Sequence, residues 1–478
     1  MPNKHKNRRA ANQAAPAVAF PSDESRPTVV VVGGGASGIA AACALSACAH
    51  DLRTDVRVVI LEKGRRLGSS ILRSGNGRCN FSHEDIDPES FNHPEFVSST
   101  FKALESAFAT SFFAFCDDAP KMTHDNAVLK WFAHLGLVWR EAPLSGGALY
   151  PFSNKATSVL EVLQAELDRY AVEQYCNIVV GGISRCCDRF QIELRSASDT
   201  AERAYLSADA LVYAAGGTAN VLCERTGLFE TFDRLPITPV LGPLKTKTEL
   251  LAGLDGIRAK VRLTCEKRHF SEEGEVLFRT YGVSGIVVFN ASRFVEPGDI
   301  ITLDFVPERP LDRLKELLRE RVRFQTAKNG CAPTYAELLR GFFLPELSQA
   351  IIRACLSGDS SRDAASSVPV DGDGLDMLAE TIKSFELEVT GRGEAGQCQV
   401  HRGGIGVDML DPHTMMAYRI PNLYFTGEAL DVDGPCGGYN LHWAWTSGLL
   451  SGLSIAHGLF DQRSQQNWDT PKQGRECK

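Results

Sequence analysis

Apolar positions along the chain become ordered abruptly at Thr28. Before it, residues 1–27 show no apolar periodicity; after it, TVVVVGGGASGIAAACALSA passes from a β-branched run through glycines into an Ala-rich stretch of helical period. This pattern predicts strand, tight turn, helix. VRVVILEK at 56–63 predicts a second strand, completing a βαβ unit with a right-handed crossover and a parallel sheet. Further on, SVLEVLQAELDRYA (158–171) repeats at helical spacing, while NIVVGGISRC, FQIELRSA and ADALVYAAGG predict strands. From residue 236 to 310 short strands alternate with turn residues, as in RLTCEKRHFSEEGEVLF and DIITLDFVP. Residues 311–356 are mostly helical in period, SGDSSRDAASS after them predicts a linker, and no internal repeat is present.

The 478 residues suffice for two or three domains, and 44% hydrophobic with 23% charged residues excludes a disordered or fibrous chain. A net charge of −8 argues against a nucleic-acid-binding surface spread over the whole molecule and leaves room for a local basic patch. The 14 cysteines lack the spacing of a disulfide framework, no CxxC zinc pattern occurs, and the neighbours Cys186 and Cys187 do not chelate one ion comfortably. A reducing, cytoplasmic location and no metal are therefore expected. Apolar runs break at glycine well short of the roughly 20 residues of a membrane span. The basic N-terminal stretch, with Lys4, Lys6, Arg8, Arg9 and Arg26, is expected to be a solvated tail.

Chemistry enters at Gly33, Gly35 and Gly38, a GxGxxG set placed between the first strand and its helix. The three glycines serve the tight turn, the approach of a pyrophosphate and the packing of helix on strand, while N–H groups of the helix start, at Ala36 and Ser37, face phosphate. Glu62, followed by Lys63, ends the second strand where a carboxylate accepts ribose hydroxyls. These features serve NAD and FAD alike. IPNLYFTGEALDVDGPCGGYNLHWAWTSGLLSG (420–452) separates them: a short strand reaches Gly427 and Glu428, and Gly437 and Gly438 open an apolar helix at Tyr439 and Asn440. A nicotinamide enzyme has no need of this return, whereas a flavin enzyme aims such a helix start at the ring edge that gains negative charge on reduction. LVYAAGGTA, with Ala215 and Gly216, adds a strand closing on glycines beside the pyrophosphate.

KGRRLGSSILRSGNGRCNFSH (63–83), with Gly77, Arg78, Cys79 and Asn80, resembles a signature of the BaiN-like family of FAD-dependent oxidoreductases, some of whose members are described as aminoacetone oxidases. GGALYPFSNKATSVLEVL, GEVLFRTYGVSGIVVF and the GEALDVDGPCGGYNLHWAWTSG segment are similar to its other signatures, in the same order, over residues 28–458. The chain departs from the family at Thr280, Ile286, His401, Cys436 and His442, where His, Pro, Thr, Thr and Gln are usual, so the substrate pocket does not transfer.

The resemblance implies an α/β protein whose Rossmann-type FAD-binding domain is discontinuous, interrupted by a β-rich domain with a helical insert. The expected boundaries are a disordered tail to 27, FAD domain 28–235, β-rich substrate-side domain 236–310, helical insert 311–364, return segment 365–390, FAD domain again 391–460, and a tail from 461. By similarity to related flavoproteins, Ile183 offers a backbone contact to the adenine and the substrate lies between the lobes. Without a second GxGxxG, NAD(P)H is expected to dock only transiently. The leading expectation is transfer of a hydride between FAD and a small organic substrate, with NAD(P)H driving reduction of an activated double bond. An O2-using oxidase of a small amine or ketone, and a flavin-binding redox sensor or interaction protein, stand as alternatives. A tRNA modifier is disfavoured by the charge, and neither nucleic acid nor membrane is an expected partner. Tyr281 of the YGVSG turn is the expected proton donor and His442 the second candidate, while Cys79 and Cys436 are read as small buried fillers.

Overall fold

A computed structural model describes residues 25–110, 126–141, 146–196, 203–218, 232–356 and 368–469. Most of the basic tail and the SGDSSRDAASS linker lie outside these residues. The chain forms two units, Met1–Ile237 with Gly403–Lys478, and Thr238–Arg402.

The first unit is built on a five-stranded parallel sheet in the order Leu423–Phe425, Ala210–Tyr213, Thr28–Val32 (β1), Arg57–Glu62 (β2), Glu173–Cys176. Val29 to Val32 are buried, as a strand covered on both faces requires. Helix α1 (Ala36–Asp51) connects β1 to β2, and nearly all of it is buried because Ala and Gly dominate every face. It packs against the last helix, Tyr439–Asp469, through small residues. A Cβ on Gly448 would stand 2.3 Å from Ser37 O, and one on Gly452 would stand 2.4 Å from Ala41 O. Gly448→Ala therefore forces the two backbones apart. At equal FAD content it is expected to lose about 1–3 kcal/mol of stability, read as a lower urea midpoint at unchanged m-value. The helix runs through Asp469, so the expected tail from 461 begins inside it.

A three-stranded antiparallel meander, Ile178–Cys186, Arg189–Ser196 and Arg203–Ala208, packs beside β2. Helix Ala156–Arg169 occupies the place its periodicity predicts. Helices Pro94–Thr110 and Ala127–His134 were not legible in the sequence pattern.

The second unit is a closed six-stranded antiparallel barrel, ordered Leu244–Thr246, Gly282–Ser284, Phe270–Arg279, Arg258–Cys265, Ile300–Asp304, Phe385–Arg392. Val261, Leu263 and Cys265 alternate inward with Phe278, Leu303 and Leu387, giving the period of two that a filled barrel demands. Helices Leu311–Asn329, Tyr335–Leu339, Pro345–Cys355 and Gly372–Lys383 intervene before the final strand. That strand pairs with the first through Gly391 and Arg392, so the crossing back to the first unit comes at Gly403 and not at 391.

Candidate functional site

The parallel strands of the first unit deliver their C-terminal ends to one edge. β1 lies between β2 on one side and Ala210–Tyr213 on the other, so the chain reverses direction of winding at this point, and ligands of open α/β sheets bind at such a reversal. The GxGxxG turn, Glu62, Ala215 with Gly216, and Gly427 with Glu428 all follow these strand ends.

The three glycines of the turn separate by what a side chain would meet. Gly33, at φ +110°, would place a Cβ 2.2 Å from Ala214 O, and Gly38 would place one 2.0 Å from Gly33 O; both are required by packing within the protein. At Gly35 the nearest atom is Ser70 Oγ, at 3.4 Å. The protein itself has room for a side chain there, so the missing Cβ leaves a cradle open to a ligand. Gly35 is also the N-cap of α1, with no side-chain cap and no acidic residue in the first turn. Ala36 and Ser37 thus begin a helix whose N–H groups and dipole suit an anion.

Glu62 uses both carboxylate oxygens locally. Oε2 accepts from Gly34 N at 2.8 Å and Oε1 from Gly64 N at 2.6 Å, which orients the carboxylate and leaves lone pairs on each oxygen for ribose hydroxyls. Lys63 beside it is exposed. Glu62→Ala removes these acceptors, and FAD affinity is expected to fall by about tenfold to hundredfold, measured by flavin retention during dialysis.

The SGNGRCN segment is a loop of left-handed residues: Gly75, Asn76, Gly77 and Cys79 all have positive φ, between 54° and 80°. Arg78 is exposed and its guanidinium lies 5.1 Å from the Tyr150 ring centre. Cys79 is fully buried, which pushes its thiol up to about 12 and keeps it protonated and inert. Asn80 sits under Gly75, whose Cβ would come within 3.0 Å of Asn80 N.

The C-terminal motif closes onto the same edge. A Cβ on Gly427 would reach Ser37 Oγ at 2.6 Å, placing the two glycine motifs side by side. The last helix grips Gly427 at both ends of its peptide: Ser447 Oγ accepts its N–H at 2.9 Å and Trp443 Nε1 donates to its carbonyl at 3.2 Å. Just before it, Thr426 Oγ1 is buried and lacks a hydrogen-bond partner among the described residues. Gly438 lies against Ser82, where a Cβ would meet the carbonyl at 2.1 Å, and Gly437 faces His83. Tyr439 contacts the His83 and Phe91 rings and donates to Asp85 O at 3.1 Å. Asn440 spends its amide on Gly434, accepting from its N–H at 2.9 Å and donating to its carbonyl at 2.8 Å, so its side chain shapes the loop ahead of the helix.

Sequence pattern gave no hint of the group that anchors this loop. Asp431 is buried and receives Gly403 N at 2.8 Å, His93 Nε2 at 2.8 Å and Asn92 Nδ2 at 3.3 Å. Asn92 also accepts from Asp433 N at 2.8 Å. Asn92 and His93 lie over 300 positions from Asp431, and no local signal links them.

His442 is buried, 2.9 Å from Ser82 Oγ through Nδ1 and edge-on to Phe101. Burial, with a smaller push from His83, takes its pKa down to about 3. Neutral in this way, the ring keeps one N–H, and its Nδ1 is engaged with Ser82 Oγ. Ile183 stands mid-strand in the meander, paired with Ile192 and with its side chain buried. Tyr281 belongs to the second unit, half-buried, its carbonyl accepting Thr246 N at 3.1 Å. Its hydroxyl makes no hydrogen bond among the described residues. Among the described residues no cysteine forms a disulfide. Among the described residues no cluster of three or more metal-ligating side chains occurs, and no helix is long and apolar enough to cross a membrane.

With an open Gly35 cradle, an uncapped helix start, an oriented Glu62 and an unpartnered Thr426 hydroxyl on one strand edge, the residues fit FAD. The HI0933-like protein Rossmann domain family matches residues 27–454. A 3-dehydro-bile acid delta(4,6)-reductase of Clostridium scindens is 32% identical over 445 residues, covering 89% of this chain and 98% of that protein. A ribosomal RNA dihydrouridine synthase of Haemophilus influenzae is 24% identical over 439 residues, with the same two coverages. Among solved structures, the open conformation of a flavocytochrome c3 fumarate reductase matches at a TM-score of 0.39 and 12% identity, over 93% of this chain and 80% of that one.

Proposed function

The chain belongs to the HI0933-like Rossmann-domain family of FAD-dependent oxidoreductases, and from that premise we propose that it is an NAD(P)H-driven reductase of an activated carbon–carbon double bond in a small organic molecule. The observation that carries the reading is the match, over 89% of this chain and 98% of the relative, to a 3-dehydro-bile acid delta(4,6)-reductase. FAD supplies the two-electron carrier between donor and substrate. The residues that would hold it are the α1 start and Gly35 for the pyrophosphate, Glu62 for the adenosine ribose, and the start of the Tyr439–Asp469 helix for the ring edge, supported by the open position at Gly35 and the oriented Glu62 carboxylate. Reduction of such a bond also needs a proton at the neighbouring carbon. Tyr281 is the proposed source, its unengaged O–H standing in a turn held by Gly282 and Gly285, whose Cβ atoms would strike Leu244 O and Glu275 O at 2.2 and 2.3 Å.

A second reading takes a uridine base in RNA as the substrate. It draws on the ribosomal RNA dihydrouridine synthases that are 24% identical to this chain. Their existence weakens the exclusion of nucleic acid from net charge, because −8 is an average over the whole chain and not a map of its surface.

The deciding experiment is anaerobic mixing of the yellow protein with NADH, NADPH or small amines, followed by addition of a conjugated enone or of unmodified ribosomal RNA. Rapid bleaching by a nicotinamide and recolouring by the enone are expected. Bleaching by an amine would make the protein an oxidase, recolouring only by RNA would select the second reading, and no bleaching at all would favour a sensor.

A further inference from the structure

Residues 63–83, which follow Glu62 off the end of β2, contain Lys63, Arg65, Arg66, Arg73 and Arg78 and no aspartate or glutamate. All five of these basic residues are exposed, so a chain of net charge −8 carries a local excess of positive charge where the parallel strands end. Arg189 and Arg195 of the same unit meet carboxylates, Asp209 at 3.2 Å and Glu193 at 2.7 Å. The side chains of Arg65, Arg66 and Arg73 have no ion-pair or hydrogen-bond partner among the described residues. The loop that presents the first two is nevertheless fixed on both sides. Gly64 donates to Glu62 Oε1 at 2.6 Å and accepts from Asn177 N at 2.8 Å, while Gly68 N donates to Gly34 O at 2.8 Å. Leu67 is buried against the glycine turn, where a Cβ on Gly34 would stand 2.2 Å from its Cδ2. Like charges held close together on a pinned loop repel one another, and an anion between them removes that cost.

We propose that Arg65, Arg66 and Arg73 bind the 2′-phosphate of the electron donor and make the protein select NADPH over NADH, an inference that rests on the reductase reading above. Guanidinium groups suit a phosphate dianion because their paired N–H groups match its oxygens. The phosphate does not belong to a dinucleotide in the GxGxxG cradle, since the Glu62 carboxylate that accepts ribose hydroxyls there repels a charge at the same place. It belongs to a second nucleotide lying outside that cradle. A nicotinamide dinucleotide is close to FAD in length, so a donor anchored by its adenosine end beside Glu62 reaches the flavin ring with its nicotinamide end. A nucleic-acid backbone is the poorer occupant. It offers its charges along an extended track, whereas these three arginines fall within residues 65–73, on one pinned loop and the short helix Ser69–Arg73 that follows it.

The test uses the FAD-loaded protein. In titration calorimetry adenosine 2′,5′-bisphosphate should bind about tenfold or more tightly than 5′-AMP, and anaerobic bleaching should show the same preference for NADPH over NADH, carried in the concentration dependence and not in the limiting rate. Arg65→Ser combined with Arg66→Ser changes only exposed side chains, so the variant should keep its flavin and its limiting rate while losing both preferences; Arg73→Ser alone should reduce them. Equal binding of the two nucleotides, no preference for NADPH, or preferences that survive the double substitution would each overturn the proposal. Loss of flavin from the double variant would also overturn it, by assigning the arginines to the diphosphate of FAD, as would a loss confined to affinity for ribosomal RNA. Failure of both nicotinamides to bleach the parent protein is a separate result, which removes the reductase reading and this inference with it.

Discussion

Replacing Gly35 with valine is expected to yield a folded, colourless protein. The nearest protein atom to a Cβ at this position is Ser70 Oγ at 3.4 Å, an ordinary contact, so the protein itself leaves the Cβ position open. The bound pyrophosphate does not, because the side chain occupies the space the backbone must leave for it. Far-UV circular dichroism should match the parent, while flavin absorbance after purification should be lost. A yellow variant with normal flavin content would move the cofactor away from the α1 start. The same substitution at Gly33 or Gly38 tests nothing about FAD, since there the protein itself is in the way at 2.2 and 2.0 Å.

Tyr281→Phe carries the second large expected effect. Bleaching by the nicotinamide should proceed at the parental rate, while recolouring by substrate should slow by about 10² to 10⁴, the usual loss when a positioned acid is removed. The change spares the fold: the Tyr281 carbonyl still accepts Thr246 N, and the hydroxyl holds nothing among the described residues. Stopped-flow measurement of the two half-reactions separates the outcomes. An unaltered recolouring rate would take Tyr281 out of the reaction, with solvent as the proton source.

How much of this was legible beforehand follows from the range over which each feature is determined. The βαβ unit and its glycines are written in some thirty consecutive residues, so β-branched run, turn and Ala-rich helix fix one another locally. The inserted barrel was legible only as a change to short strands; its closure depends on Phe385–Arg392 pairing back to Leu244–Thr246, more than 130 positions away and across a helical insert. The Asp431, His93 and Asn92 group was invisible for the same reason. The surroundings of His442 were not legible either, because its neutrality comes from burial among Phe101, Ser82 and His83, residues that the fold and not the local motif brings to it. Asn440, expected at the cofactor, serves the loop at Gly434, where a short-range i−6 contact competes with any ligand for the same amide.

The grip of the last helix on Gly427 and on α1 has a consequence for synthesis. The edge strand Leu423–Phe425 and the glycines at 437 and 438 complete the proposed cofactor site, whose first glycine is residue 33. About 400 residues are translated between the two halves, which at roughly 5–20 residues per second takes about 20 to 80 seconds. The barrel unit, continuous from Thr238 to Arg402, emerges whole within that interval and can fold while the nucleotide-binding sheet still lacks its edge. The proposed flavin site is therefore complete only after the Tyr439–Asp469 helix has been made, and a chain that stops short of that helix carries the barrel and half of the proposed site.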